Sequence, residues 1–229
     1  MKIRISDTSQ HKAARIAGFM FLFILTAIVL NSIVFSKLIV VGNVLATAEN
    51  LMSNALLFRI GIANELILSI SAVVLALALY VALKPVNKNL ALLALYLKLA
   101  EGILSGVIAL LNFIALQMLN GDTYSTVNMP EHLKVIVGSF LNMHDAIYSI
   151  PMVFLGPNLV IFSYLFFKSN YIPRILAGFG IFSYALVIIY ALGSILFSNI
   201  PALILAAPSI LFELIIGLWL LFKGIKVQQ

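Results

Sequence analysis

Six stretches of this chain, roughly 16–38, 60–83, 90–118, 146–167, 174–197 and 202–222, are apolar over most of their length and separated by short polar breaks. A helix that spans a bilayer takes roughly 20 mostly apolar residues, and each stretch is long enough. A helix that is apolar on every side has no face to offer water. The expected fold class is therefore all-α, a polytopic transmembrane bundle of about six helices, with residues 1–229 forming a single integral membrane domain.

Composition leads the same way. The chain is 63% hydrophobic and 10% charged, whereas a soluble domain carries about 25% charge. Too little polar surface is available to cover a compact globule of this length. The net charge of +6 does not indicate nucleic acid, because the basic residues stand in ones and twos between apolar segments rather than on one face. With no cysteine in the chain, disulfides, thiolate nucleophiles and cysteine metal sites are excluded. His11 is remote from His132 and His144, so no histidine-rich zinc site is expected. No Walker loop is present, so the chain is not itself an ATPase. Nothing in the residues names a cofactor or an oligomeric state.

The first stretch follows Lys2, Arg4, Lys12 and Arg15 and precedes Ala46-Thr47-Ala48, an arrangement similar to a secretory signal. A signal's apolar core extends to about 15 residues. This one is longer, and a retained span is expected. In a six-span arrangement Lys2, Arg4, Lys12, Arg15, Lys84, Lys88, Lys168, Arg174, Lys223 and Lys226 share one side, against Lys37, Arg59 and Lys134 on the other. The positive-inside rule then places both termini in the cytoplasm. Five or seven spans would destroy that asymmetry.

The connections on the terminal side, Lys84–Asn89 and Lys168–Arg174, are tight and hold prolines that stop or start helices. Those on the opposite side hold two amphipathic segments. In the first, Val44, Leu45, Leu51, Met52 and Leu56 oppose Thr47, Glu49, Asn50, Ser53 and Asn54. The second, about 131–143, follows Pro130 and carries Leu133, Ile136, Val137 and Phe140. Each suits a helix lying in the membrane interface, as a connector or as a lid over an outward cavity.

Ionisable residues inside spans cost about 2.5–3.5 kcal/mol each at a helix centre. Here Glu65, Lys98, Glu101, Asp145 and Glu213 fall within or at the entrance of spans. Helical spacing places each in a row of small or polar residues. The rows are Glu65-Ser69-Ala72-Ala76, Lys98-Glu101-Ser105-Ala109-Asn112, Asn142-Asp145-Ser149-Gly156 and Ala202-Ala206-Ser209-Glu213-Gly217. Such faces pack on other helices or line water rather than lipid. Lys98 and Glu101 are expected to form an intramembrane ion pair. Glu65, Glu101, Asp145 and Glu213, with Asn112 and Asn142 nearby, are expected to converge on a polar cavity that takes a cation or a small molecule. The competing reading is structural, with each acid hydrogen-bonded or protonated. For an ordinary glutamic acid, protonation at pH 7 costs roughly 3.7 kcal/mol, comparable to inserting a charge.

Pro151 and Pro157 in the fourth span and Pro201 and Pro208 in the sixth either break their helices, as at transporter sites, or kink them. Gly102 and Gly106 have the spacing of close helix packing, inside the bundle or across a homodimer face. His144 and Ser149 point to nearly opposite sides of a regular helix, so no triad forms on it with Asp145.

Several strings resemble a known family: Ala14-Arg15-Ile16-Ala17-Gly18, Leu57-Phe58-Arg59-Ile60-Gly61, Lys84 to Leu93, Tyr171-Ile172-Pro173-Arg174, and Glu213 to Gly224. In order and spacing they resemble a bacterial multi-spanning membrane protein family, domain of unknown function 4386. The resemblance implies a bacterial cytoplasmic-membrane protein, and it implies no activity and no catalytic residues.

Three functions remain open. The first is binding or transport of a small molecule or ion through the intramembrane carboxylates. Size and the missing nucleotide motif also resemble the substrate-binding subunits of energy-coupling vitamin transporters, and Ala13 and Ala17 match their helix-contact spacing. The second is a membrane-embedded enzyme acting on a lipid or lipophilic metabolite, with His144, Asp145 and Glu65 converging on a metal or water. The third is a structural partner subunit. The bilayer is the one partner common to all three.

Overall fold

A computed structural model describes residues 2–119, 131–197 and 202–226, except the side chains of residues 2–8, 145, 202 and 203. The helices are α1 (Lys2–Leu38), α2 (Val44–Ser53), α3 (Ala55–Leu83), α4 (Lys88–Leu119), α5 (Glu131–Asn142), α6 (His144–Ser169), α7 (Arg174–Leu196) and α8 (Ala202–Phe222). Among the described residues six stretches are long and apolar enough to cross a membrane, namely Ser9–Leu38, Ala55–Leu83, Lys88–Leu119, Glu131–Ser169, Arg174–Leu196 and Ile204–Phe222. Helix is the form such segments must take, because in hydrocarbon every backbone N–H and C=O has to be satisfied within the segment. The architecture is all-α, and no strand occurs among the described residues.

Local chemistry sets the boundaries. Asn87 Oδ1 accepts the Leu90 N–H at 3.0 Å, capping α4 just after Pro85. Asn170 takes a left-handed conformation, φ 55°, that closes α6, and Pro173 precedes α7. Pro151 and Pro157 lie within an unbroken α6, and Pro208 within an unbroken α8. The described prolines therefore interrupt neither helix. Pro130 and Pro201 lie outside the described residues.

The spans are arranged in chain order around a closed ring. α1 packs on α3, α3 on α4, α4 on α6, α6 on α7, α7 on α8, and α8 returns to α1. The closing contact is a backbone crossing: a Cβ on Gly18 would sit 2.5 Å from the Leu221 nitrogen and 2.8 Å from the Gly217 carbonyl oxygen. No other residue type fits there without separating the helices. Ala14, Ala17, Ile216 and Leu220 fill the rest of this seam with side chains that are fully buried. Ala13 and Ala17 thus belong to the chain's own core, so the helix-contact spacing seen in the sequence serves an internal contact. Gly102 and Gly106 likewise face Ser69 and Ala72 of α3 inside the bundle. Outward-facing residues such as Phe19, Val29, Leu77, Ile103 and Ile189 are apolar and exposed, as lipid contact requires.

α2 and α5 lie together at the end of the ring opposite the termini. Gly138 of α5 meets the backbone of Val44 so closely that no Cβ can be accommodated. Leu51, Val137 and Leu141 join Phe35, Phe58 and Leu116 in a second core beneath them. Thr47, assigned by its polarity to a wet face, is instead completely buried. Its hydroxyl accepts the Val40 N–H at 2.9 Å and the Asn142 amide at 3.0 Å, joining three segments through one side chain. Leu56 belongs to the first turn of α3 rather than to the amphipathic segment.

Candidate functional site

A cavity of about 900 Å³ occupies the interior of the ring, toward the α2–α5 end. Ile24 and Ile28 of α1, Leu68 of α3, and Met152 and Leu155 of α6 form apolar walls. Against them stand Glu65, Lys98, Glu101, Ser105, His144 and Tyr148. Its size and mixture of lining groups match small-molecule sites, which are mainly apolar with a few placed polar groups.

Glu65 is the best-held acid. Asn112 Nδ2 donates to its Oε2 at 2.8 Å, Tyr148 donates to its Oε1 at 2.9 Å, and His144 Nε2 lies 3.2 Å from the same oxygen. These groups come from α3, α4 and α6, and α3 and α6 are not neighbours in the ring. Phe35 stacks on the His144 ring at 4.2 Å between centroids. The adjacent Asn64 donates to Ala27 O at 2.9 Å and to Asn31 Oδ1 at 3.3 Å, tying α1 to the same level.

Lower in the cavity, Lys98 Nζ is 2.6 Å from Glu101 Oε2, with the side chains 4% and 13% exposed. The three-residue spacing on one helix face makes this contact possible. Asn158 donates to the same Glu101 oxygen at 3.4 Å. Glu101 Oε1 makes no hydrogen bond among those described. Glu213 accepts from Tyr184 at 2.8 Å and lies within electrostatic reach of Lys98 and Glu101, but it stands beside the cavity rather than in its wall.

Of the residues singled out in the sequence, Glu65, Lys98 and Glu101 line one cavity, and Asn112 is buried behind Glu65. Asn142 is placed elsewhere: its amide binds Thr47 and the Gly138 carbonyl, and its oxygen accepts the Gly42 N–H at 3.0 Å. The Asp145 side chain lies outside the described residues. On α6 the cavity is lined by His144, Tyr148, Pro151, Met152 and Leu155. Tyr148 and Tyr184 were passed over. The four-residue step from His144 to Tyr148 was a readable signal, whereas Tyr184 looks like any aromatic residue in an apolar span. Among the described residues no group of three or more His, Asp or Glu side chains gathers as a metal site would require.

The family described as domain of unknown function DUF4386 matches residues 16–224. The chain belongs to that family. The DUF4386 match extends from the first span to the last, so the ring and its cavity fall within the family's unit. No curated protein and no solved structure matches the chain.

Proposed function

We propose that this DUF4386 chain binds a small molecule carrying a cationic or amine group in the central cavity and moves it across a bacterial cytoplasmic membrane. The cavity carries this reading. Glu65, Glu101 and Glu213 each have a partner, as a purely structural role would also give, but structural acids need no adjoining void of about 900 Å³. The lining brings the carboxylates of Glu65 and Glu101 together with Lys98, and two acids beside one fixed cation favour a cationic ligand. The orientation belongs to the same reading, with both termini cytoplasmic and the α2–α5 end outside.

A thermal-stability screen of the purified chain against amines, amino acids and inorganic cations tests it. At a concentration about 100 times its dissociation constant a ligand adds about 2.7 kcal/mol. Glu101→Gln should weaken binding in the fraction that elutes as a folded species, because it also removes the counter-charge of buried Lys98. Stabilisation by none of the cations, or undiminished binding in both Glu65→Gln and Glu101→Gln, would overturn the assignment.

One observation favours an enzyme acting on a lipophilic substrate: the Glu65, His144 and Tyr148 contacts place a carboxylate, an imidazole and a phenol together at the cavity wall. That arrangement suits proton transfer. Metal analysis of the purified protein separates a metal-assisted version of this reading from simple binding.

A further inference from the structure

We infer that the ligand of the cavity is a lipophilic amine, which enters sideways from the bilayer between α1 and α8; this rests on the binding function proposed above. Ile28 is 47% exposed, and Ser32 and Ser36 are exposed as well, yet all three line the central cavity. A residue facing the middle of a closed ring is covered by its neighbours. One that lines the centre and is also exposed stands at an open seam.

The other edge of that seam is α8. Ala206 lines the cavity, and Ile204 and Ile210 on either side of it are 72% and 50% exposed. Toward the termini the same two helices are locked, since Gly18 and Gly217 allow backbone contact and Phe21, Ile216 and Leu220 are buried. The α1–α8 seam is therefore a wedge, shut at one end and parted at the level of the cavity. Its mouth carries Ile28 and Ile210 beside Ser32 and Ser36, and the isoleucines offer surface that lipid chains wet and water does not.

The interior continues that gradient. The same wall joins the apolar Ile24, Ile28, Met152 and Leu155 to the charged Lys98, Glu101 and Glu65. A molecule arriving through the mouth finds apolar surface along its body and negative charge at its head. The Glu101 oxygen that is not engaged by Lys98 or Asn158 is positioned to accept from an ammonium group. A long-chain primary amine matches this sequence of surfaces. A small hydrophilic amine leaves the apolar walls uncovered.

The test uses the full chain in phospholipid vesicles with two probes, n-butylamine and a dodecylamine bearing a photoactivatable diazirine in its chain. The long amine should label α1 across residues 28–36 and α8 around Ala206, and unlabelled dodecylamine should compete at least about tenfold better than butylamine. Glu65→Gln should lower labelling by about tenfold, with Glu101→Gln taking its place if that variant does not elute as a folded species. Because the chain has no cysteine, the pair Ser32→Cys and Ala206→Cys can be bridged by a bis-maleimide. Bridging should slow the onset of labelling by about tenfold. Equal competition by the two amines, or an onset unchanged by the bridge, overturns lateral entry of a lipophilic ligand while leaving cation binding intact. Binding of neither amine removes both proposals.

Discussion

Removing Lys98 alone should destabilise the bundle more than removing Lys98 and Glu101 together. The amine and carboxylate are 2.6 Å apart with 4% and 13% of their side chains exposed, so each is the principal counter-charge of the other. In Lys98→Met the only described bond left to the carboxylate is the 3.4 Å contact from Asn158. Stranding one member of a buried pair costs about 3–5 kcal/mol. A solitary acid of ordinary acidity can take up a proton for about 3.7 kcal/mol at pH 7, which limits the loss to roughly that value. The double variant Lys98→Met, Glu101→Leu removes both charges and should lie within about 1 kcal/mol of the parent, because apolar replacement of a buried pair is often neutral. Thermal unfolding in a fixed detergent reads the difference. With about 2–4 °C per kcal/mol for a chain of this size, the single variant should melt roughly 4–15 °C below the double. If Lys98→Met melts at or above the double variant, the pair contributes nothing and the reasoning fails.

Gly18→Val should separate α1 from α8 and cost at least about 2 kcal/mol, read as a lowered melting temperature, whereas Gly178→Ala, where a Cβ meets nothing within 4 Å, should be close to neutral. Tyr148→Phe removes one donor to Glu65 and should cost about 1–3 kcal/mol of thermal stability, with Tyr184→Phe producing a loss of similar size through Glu213. Gly138→Leu should detach α5 from α2, measured as faster proteolysis within residues 39–54 while the spans persist. Reporter fusions after residue 229 and near residue 125 should lie on opposite sides of the membrane, and the same side for both would refute the orientation.

The spans were legible because the bilayer imposes one demand, continuous apolar length, that hydropathy records directly. The last expected stretch, 202–222, coincides with α8, while α3 begins at Ala55, five residues before its apolar run suggested. Leu56 was the source of that error, since an apolar residue at a helix boundary fits either neighbour. Lys98 and Glu101 were legible as a pair because both sit on one helix, where spacing fixes proximity. Contacts across helices were not. Glu65 reaches His144, Tyr148 and Asn112 only because α3, α4 and α6 approach one another, and no period within a single helix carries that information. On α6 the charge of Asp145 drew attention to one face, while the packing turned its neighbour His144 into the bundle.

The order of the ring has a consequence for biosynthesis. Each helix emerging from the ribosome finds its predecessor already in place, so α1 to α7 assemble as an open trough whose two free edges are α1 and α7. Until α8 arrives, Ala14, Ala17 and Gly18 face lipid, and the acids along the trough have no enclosure. α8 is the helix that creates the chamber. It locks onto the first at Gly18 and Gly217, and the joint completed last is also the joint left ajar at its far end.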